Sequence, residues 1–306
     1  MQDLAIVLVN YNTRELLRGC LASVYQSRGD LSYAVYVVDN CSSDGSAGMV
    51  REEFLQVDAV KECQANCGYP AANNIGLQAA GFGEAEGEAS ARYALLLNPD
   101  TVLPSDALQQ MVDFMDTHPE AGIAGPKLVR KDGTLDKACR RSFPSPAVSF
   151  YRLTGLSKLF PNNPRIARYN LSYLDVDETS EIDAVVGAFM LIRGDTLRET
   201  GLLDERFFMY GEDLDLCYRA KQRGWKVYYH PAVTVLHYKG ESSKQRSYWS
   251  IYHFYRSMHL FHRKHYWRST MFLLNWIITL GIVVLGAWAL LRNALRPTGR
   301  KRVASA

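Results

Sequence analysis

The chain has 306 residues, enough for one large domain or two modest ones. Its hydrophobic content of 47% and charged content of 22% are ordinary for a globular protein with a substantial core. The net charge of +3 is too small to indicate a nucleic-acid partner, and six cysteines without a Cys-x-x-Cys pair favour free thiols in a reducing cytosol.

Segments typical of strands and helices alternate over the first hundred residues. The apolar run from Leu4 to Val9 predicts a buried strand, and Asn12 with Glu15 gives a capping-box pattern at the start of the next helix. Three further strands are predicted, at 33–38, 57–62 and 94–97. This alternation is typical of a mostly parallel, doubly wound sheet.

The rest of the chain is less regular. An amphipathic helix is predicted at 105–118, a short strand at 121–125 and a hairpin at 128–135. From Arg140 to Ser180, prolines interrupt every periodic pattern, which predicts a long functional loop. Three more strands are then predicted, at 182–192, 225–230 and 232–237.

The strand at 94–97 stops at Asn98-Pro99-Asp100. Proline interrupts the ladder there and leaves two oxygen-bearing side chains at the carboxyl end of the strand. Ligands of open α/β sheets bind at that edge, and a carboxylate suits a divalent cation that carries a diphosphate. An Asx turn before the next helix is the alternative interpretation.

Other polar side chains occupy comparable positions. Asp39, Asn74, the pair Glu212-Asp213 and His237 all lie at predicted strand ends or helix starts. We therefore expect them, together with Asp100, to form the rim of one cleft.

Seven short polar motifs follow one another along the chain: Asn10-Tyr11-Asn12, Asp39-Asn40-Cys41-Ser42-Ser43-Asp44-Gly45, Asn66-Cys67-Gly68, Asn74-Ile75-Gly76, Asn98-Pro99-Asp100, Gly211-Glu212-Asp213-Leu214-Asp215 and His237. Their order resembles that of family 2 glycosyltransferases of the GT-A fold. Within that family, the chain looks most like the bacterial rhamnosyltransferases that build cell-wall, lipopolysaccharide or capsule glycans. The resemblance covers roughly Leu4 to Tyr238.

The resemblance implies an α/β fold of GT-A type, with a Rossmann-like, mostly parallel central sheet flanked by helices. This domain would occupy residues 1–240, with a nucleotide-sugar donor as partner and Mg²⁺ or Mn²⁺ as the cofactor. Membrane association of a helical segment at 241–306, and with it a lipid-linked glycan acceptor, is predicted from the apolar C-terminal sequence described below.

The resemblance also implies a nucleotide-sugar site. Asp39 would accept the imide N–H of uracil or thymine, and Gly187 would leave room for the sugar. The remaining predicted binding residues are Asn10, Tyr11, Asn66, Gly68, Asn74, Asn98 and Asp100. Arg206 and Arg219 are candidates for phosphate contacts.

Asp100 and His237 would be the metal ligands by resemblance, although a histidine at a strand end can be purely structural. The chain departs from the Asp-x-Asp pattern of the family because Asn98 replaces the first carboxylate. This substitution removes one negative charge from the implied metal site.

Asp213 is the candidate base for an inverting transfer, in which a carboxylate takes the proton of the acceptor hydroxyl. Its place in a first helical turn favours the ionised form. Glu212 is the alternative, because only geometry separates the two adjacent carboxylates.

The C-terminal segment predicts attachment to a membrane. Met271 to Leu291 is strongly apolar, and 21 residues of helix reach about 31 Å, close to the thickness of a hydrocarbon core. Trp267 and Trp288 lie near its ends as interfacial aromatic residues do, and a basic tail follows. A single span and an in-plane or re-entrant arrangement around Gly281 both remain open. The aromatic helix at 248–266 suits anionic headgroups.

The sequence therefore predicts a metal-dependent inverting glycosyltransferase at the cytoplasmic face of the bacterial inner membrane. Its favoured donor is dTDP-L-rhamnose, and its acceptor is an undecaprenyl-diphosphate-linked sugar. A UDP-hexose donor and a non-catalytic, membrane-bound scaffold are the alternatives. A nucleotidyltransferase and a dinucleotide oxidoreductase are disfavoured because no glycine-rich phosphate loop follows the first strand.

Overall fold

The computed structural model describes residues 1–83, 91–238 and 247–295, so the predicted basic tail at Arg296, Arg300, Lys301 and Arg302 lies outside the described residues. The strands are β1 (Gln2–Asn10), β2 (Tyr33–Asp39), β3 (Ala59–Glu62), β4 (Ala91–Leu97), β5 (Thr101–Val102), β6 (Ala121–Val129), β7 (Ser180–Ile182), β8 (Phe189–Arg193) and β9 (Lys226–His237).

The helices are α1 (Arg14–Tyr25), α2 (Ser46–Glu53), α3 (Tyr69–Ala79), α4 (Ala107–Thr117), α5 (Pro146–Leu153), α6 (Leu156–Leu159), α7 (Gly194–Thr200), α8 (Glu212–Gln222), α9 (Ser247–His265) and α10 (Phe272–Ala294). Two short 3₁₀ turns occupy Lys137–Cys139 and Arg168–Asn170.

One sheet organises the α/β unit. Its strand order is β3-β2-β1-β4-β8-β6-β9-β5, with β7 paired to the side of β9. Strands β1 to β4 pair in parallel, which confirms the predicted doubly wound half of the sheet. Beyond β4 the sheet is mixed, because β8 runs antiparallel to both β4 and β6. The parallel register aligns Asn10 with Asp39 at the carboxyl ends of β1 and β2.

The strand predicted at 182–192 is wrong as a single element. β7 ends at Ile182 and β8 begins at Phe189. The backbone between them bonds to other parts of the protein. Ala184 forms a bridge with Arg141, and the Gly187 carbonyl accepts a hydrogen bond of 2.8 Å from the Tyr69 hydroxyl. Apolar content alone could not reveal this crossing.

The two strands predicted at 225–230 and 232–237 form one strand, β9. The partner in β6 shifts from Pro126 opposite His230 to Lys127 opposite Thr234, so the three residues from Pro231 to Val233 form a bulge in β9. Proline cannot donate to the ladder, and the bulge accommodates it without ending the strand.

The segment from Arg140 to Ser180 contains α5, α6 and a 3₁₀ turn, so the predicted loop is wrong in part. Ser145 caps α5 by accepting a hydrogen bond from the Val148 N–H. Arg140 is 2% exposed, and its guanidinium donates to the carbonyls of Leu174 and Asp175, which ties the beginning of the segment to its last part.

The predicted capping box at Asn12 is also wrong. Helix α1 begins after Thr13, whose side chain forms no capping bond. Asn12 has a φ of 52°, and its amide oxygen accepts a hydrogen bond of 2.7 Å from the Ser43 N–H. The side chain joins the loops after β1 and β2 and is therefore unable to cap the helix.

Helix α9 packs against the α/β unit through several polar contacts. Lys264 forms ion pairs of 2.6 Å with Asp204 and Asp215, and His265 contacts Asp215 at 2.7 Å. The Ser257 hydroxyl donates to the Met209 carbonyl at 3.0 Å. The sequence predicted that this helix would suit anionic headgroups, but Lys264 is turned toward the protein.

Among the described residues, α10 is the one helix long and apolar enough to cross a membrane, with a mean hydropathy of 2.1. Little of it is buried. By its length and composition, α10 is a candidate for membrane association.

Close packing of α3 on the sheet predicts that Gly76→Ala destabilises the fold. An added Cβ would overlap Val7 Cγ1, and such overpacking costs about 1–3 kcal/mol. Gly19→Ala in α1 is the matched control, since no atom lies within 4 Å of its Cβ position, and it should stabilise by up to about 1 kcal/mol. Urea denaturation measures both, and equal effects would contradict the packing argument.

The contacts of α9 predict a pH-dependent contribution from Asp215. Burial disfavours its charged form, but the hydrogen bonds from His265 and Lys264 and the charge of Arg219 hold the pKa of Asp215 below its usual value. A depressed folded-state pKa stabilises the fold above the unfolded-state value of about 3.9, and this stabilisation is lost as the pH falls through the folded-state pKa.

Asp215→Asn should therefore cost about 3 kcal/mol at pH 7, as expected when a buried ion pair loses one partner. The cost should shrink below pH 4, which urea denaturation at both pH values would show. A cost that is equal at both pH values would contradict this origin.

Candidate active site

A cleft of about 830 Å³ opens at the carboxyl ends of β1, β2 and β4 and is closed on its far sides by α5 and α9. The predicted site residues that line it are Tyr11, Asn66, Asn98, Asp100, Gly187, Glu212, Asp213 and His237. The other four, Asn10, Asp39, Gly68 and Asn74, are buried and do not line the cleft. The fold therefore brings most of the predicted residues to one cleft.

Asn10 and Asp39 form a buried pair at the ends of β1 and β2. The Asn10 amide donates to Asp39 Oδ1 at 3.0 Å, and the Ser42 N–H donates to Asp39 Oδ2 at 2.9 Å. Thr13 donates its hydroxyl hydrogen to Asn10 Oδ1 at 2.6 Å. These bonds fix the orientation of the Asp39 carboxylate before any ligand binds.

Asn40 lines the cleft and was not predicted as a site residue. Its amide nitrogen donates to Asn66 Oδ1 at 3.2 Å, and its amide oxygen accepts from the Cys67 N–H at 2.9 Å. Through these two hydrogen bonds, the loop after β2 holds the loop after β3 in position. The signal in the sequence was its place directly after Asp39, within the second polar motif.

Gly68 and Asn74 do not line the cleft but contact the segment 203–208, which includes the lining residue Phe208. Gly68 has a φ of +90°, and a Cβ there would lie 2.6 Å from the Phe208 carbonyl oxygen, so glycine permits the close approach of two loops. The Asn74 side chain donates to the Leu203 carbonyl at 2.9 Å and accepts from the Leu203 N–H at 3.0 Å. In the structure both residues position the segment 203–208, and their predicted role in binding stays a prediction.

Asp100 and His237 meet inside the cleft. Asp100 Oδ1 lies 3.3 Å from His237 Nε2, and Asp136 Oδ2 lies 3.1 Å from His237 Nδ1. Burial opposes the charged imidazole, but the hydrogen bonds to Asp100 and Asp136 outweigh it and raise the pKa of His237 to about 9. Asp136 was missed because it lies on a turn that carries no motif, 101 residues away in sequence.

The donor atoms around Asp100 fit a divalent cation. Asn98 Oδ1 is buried and has no hydrogen-bond partner in the described part of the chain. Carboxylate and amide oxygens with one imidazole are ligands that Mg²⁺ or Mn²⁺ accept, usually with phosphate oxygens completing the shell. Residues 1–83, 91–238 and 247–295 contain no group of three or more His, Cys, Asp or Glu side chains that could hold a metal alone.

The two carboxylates at the start of α8 have different surroundings. Asp213 Oδ2 accepts a hydrogen bond of 2.5 Å from Arg141, and its Oδ1 accepts from the Leu214 N–H at 2.7 Å. Glu212 Oε2 is buried and lacks a partner among the described residues. Burial, and next the charge of Asp213, raise the pKa of Glu212 above its usual range.

The cations that reach the cleft differ from those predicted. Arg219 binds Asp215 and donates to the carbonyls of Thr200, Gly201 and Leu202, so the expectation that it contacts phosphate is wrong. Arg206 is paired with Asp204 outside the cleft lining. Within residues 1–83, 91–238 and 247–295, the Arg and Lys side chains that line the cleft are Arg130, Lys131, Arg141 and Arg152.

Helix α9 supplies an aromatic wall. The His253 ring stacks on Phe208 at 4.4 Å and on Trp249 at 4.9 Å between ring centroids. His253 is 7% exposed, and neither of its ring nitrogens has a hydrogen-bond partner in the described chain. Sequence reasoning missed this wall because it assigned the aromatic residues of 248–266 to a membrane surface.

Comparisons with known proteins agree with this geometry. A family model described as glycosyltransferase like family 2 matches residues 2–249. The chain is 27% identical over 307 residues to the N-acetylglucosaminyl-diphospho-decaprenol L-rhamnosyltransferase of Mycobacterium tuberculosis, covering 98% of this chain and 96% of that protein. It is also 27% identical over 238 residues to Rhamnosyltransferase WbbL of Escherichia coli, covering 76% and 82% of the two chains.

A solved structure shows the same fold. The crystal structure of GalNAc-T7 with UDP, GalNAc and Mn²⁺ matches with a TM-score of 0.55 at 15% identity, over 78% of this chain and 44% of that chain. The chain thus spans less than half of that structure, and the likeness concerns the GT-A fold alone. Because the family model matches residues 2–249, most of the chain, the chain belongs to glycosyltransferase family 2, and its curated relatives include bacterial rhamnosyltransferases.

Proposed function

We propose that the protein is an inverting, divalent-metal-dependent transferase that moves L-rhamnose from dTDP-rhamnose to a lipid-linked glycan. The observation that carries the proposal is that two groups line one cleft: the first is Asn98, Asp100 and His237, and the second is the Glu212-Asp213 pair. The first group suits a diphosphate-bound cation, and the second suits proton removal from an acceptor.

The names of the relatives support the choice of sugar and acceptor. One relative is named for rhamnosyl transfer to N-acetylglucosaminyl-diphospho-decaprenol, and another is named a rhamnosyltransferase. At 27% identity, donor specificity depends on individual residues of the pocket. A UDP-hexose is the second candidate donor, favoured by the GT-A structure that contains UDP.

The cleft residues would have different roles in the transfer. The cation would be held by Asp100 and His237, with Asn98 as an oxygen donor, and would supply charge neutralisation of the leaving diphosphate. Asp39, fixed by Asn10 and Ser42, would orient the base of the nucleotide.

Asp213 would take the proton of the acceptor hydroxyl as its oxygen bonds to C1 of the sugar. The bond from C1 to the phosphate oxygen breaks at the same time, and the electron pair leaves with the nucleoside diphosphate. Arg141 would orient the Asp213 carboxylate during this step, because its guanidinium is held by the Val185 carbonyl at 2.8 Å.

We also propose that residues 241–306 attach the catalytic residues 1–240 to the cytoplasmic face of the inner membrane. The exposed apolar surface of α10 supports this proposal. Helix α9 belongs to both parts, since it forms one wall of the cleft and continues toward α10.

The metal side of the cleft predicts that nucleotide binding depends on Asp100. Calorimetry should show that dTDP binds the full-length protein more tightly with Mg²⁺ or Mn²⁺, and that Asp100→Ala weakens binding by tenfold or more, about 1.4 kcal/mol. Asp113→Ala, on the exposed face of α4, is the control and should bind like the wild type. Tighter UDP binding would redirect the donor to a UDP-hexose, and binding of neither nucleotide would refute the donor site.

We propose Asp213 as the base in preference to Glu212, because Arg141 pairs with the Asp213 carboxylate, whereas burial and the charge of Asp213 raise the pKa of Glu212 and favour its protonated form. Asp213→Asn should lower kcat by about 10²–10⁴ while leaving nucleotide affinity unchanged, and Glu212→Gln should have the smaller effect. The assay measures transfer from dTDP-rhamnose to N-acetylglucosaminyl-diphospho-polyprenol, and denaturation curves verify that both variants fold. A larger loss of kcat in Glu212→Gln than in Asp213→Asn would reverse the assignment. Turnover by the wild type with a soluble sugar equal to that with the polyprenol-linked acceptor would contradict the lipid-linked acceptor.

A further inference from the structure

Helix α10 buries mainly polar and small residues and exposes apolar ones, which is the reverse of a surface helix in a water-soluble protein. Its four buried residues, spaced seven, four and seven apart, include two asparagines and a glycine: Asn275, Ile282, Gly286 and Asn293. The opposite face exposes a continuous stripe of large apolar side chains, each more than half exposed: Leu273, Ile277, Leu280, Val284, Trp288 and Leu291. Water would be a poor solvent for this stripe, whereas lipid would not.

The buried face packs along α9. Asn275 Oδ1 lies 2.8 Å from His262 Nε2, and the Asn275 amide also donates to the Trp267 carbonyl at 2.9 Å. Further along, a Cβ on Gly286 would lie 3.2 Å from Tyr255 Cγ, so the small residue lets the helices approach closely. Asn275 meets His262, and the later residue Gly286 meets the earlier residue Tyr255, so α10 runs antiparallel to α9. Helix α10 is continuous through Gly281.

The same stretch of α9 is fixed to the catalytic domain. Arg256 donates to the Arg206 carbonyl at 2.6 Å, and Ser257 donates to the Met209 carbonyl at 3.0 Å. Near the other end of α9, Lys264 is paired with Asp204 and Asp215. Along this stretch, α9 therefore has the α/β unit on one side and α10 on another side.

This arrangement is incompatible with a spanning α10. The helix has 23 residues, about 34 Å, so a span would use its whole length to cross a hydrocarbon core of about 30 Å. Helix α9, with Arg256, Lys264 and the catalytic domain attached, would then lie inside the hydrocarbon, where each charge costs several kcal/mol. An in-plane helix would immerse only its apolar stripe, about 5–10 Å deep.

We infer that α10 binds the bilayer lying in the plane of the membrane interface, with both of its ends and the catalytic domain on the same side. This inference rests on the membrane attachment proposed above. The exposed Arg268, just before the helix, and Arg292, in its last turn, suit anionic headgroups. Because one helix diameter is about 10 Å, the cleft wall formed by α9 lies close to the lipid that would carry the acceptor.

Thiol labelling in membranes tests the orientation. Met271→Cys and Leu295→Cys place thiols at the two ends of α10, where the native side chains are 76% and 79% exposed. Both are made in full-length protein whose Cys41, Cys63 and Cys67 are replaced by serine. With a membrane-impermeant maleimide, both positions should label in inside-out membrane vesicles of expressing bacterial cells and remain unlabelled in intact spheroplasts. Labelling of Leu295→Cys in spheroplasts would show a span and overturn the inference.

A second pair of variants tests the apolar stripe itself. Leu280→Glu with Val284→Glu should shift the protein from the membrane fraction to the soluble fraction and abolish flotation with vesicles of phosphatidylethanolamine and phosphatidylglycerol. Leu55→Glu, on an 84% exposed loop residue of the catalytic domain, is the matched control and should still float. Flotation of the double variant would overturn the inference.

A wild-type protein that stays in solution as a dimer through this stripe would also overturn the inference. Nucleotide binding would be unaffected in that case, so the failure of the membrane arrangement would be distinguishable from failure of the proposed transferase chemistry.

Discussion

The buried ion pair between Arg141 and Asp213 is the contact on which the cleft depends. Both side chains are less than a tenth exposed, and Arg141 also donates to the Val185 carbonyl. The pair therefore joins the start of α8, the segment after β6 and the crossing between β7 and β8. A charge buried without its partner is strongly unfavourable, so these three segments are stable only when they are assembled together. The position of the candidate base follows from that assembly.

Helix α9 joins the cleft to α10. One of its faces closes the cleft with Trp249 and His253, and another contacts α10 through the hydrogen bond between His262 and Asn275. The ion pairs of Lys264 with Asp204 and Asp215 fix the same helix to the α/β unit. In the membrane arrangement proposed above, the depth of α10 in the bilayer would set the distance from the lipid surface to the cleft.

The sequence was most informative where strands end. In a parallel sheet the carboxyl ends of neighbouring strands meet at one edge, so the polar residues Asn10, Asp39 and Asp100 could be assigned to that edge from their positions alone. The same logic failed where pairing is antiparallel or bulged. The crossing before Gly187 and the bulge at Pro231 leave no periodic trace, because each is set by what the backbone meets across the sheet.

By itself the sequence determined the order of strands and helices in the first half, the family, most carboxylates of the candidate site and the apolar C-terminal helix. Only the tertiary structure decided which charges meet: Asp136 with His237, Arg141 with Asp213, and Arg219 with Asp215 instead of a ligand. Those partners are remote in sequence or share no motif, and a local pattern carries no information about a contact made by folding. The inward-facing asparagines of α10 gained their meaning in the same way, from the helix that lies against them.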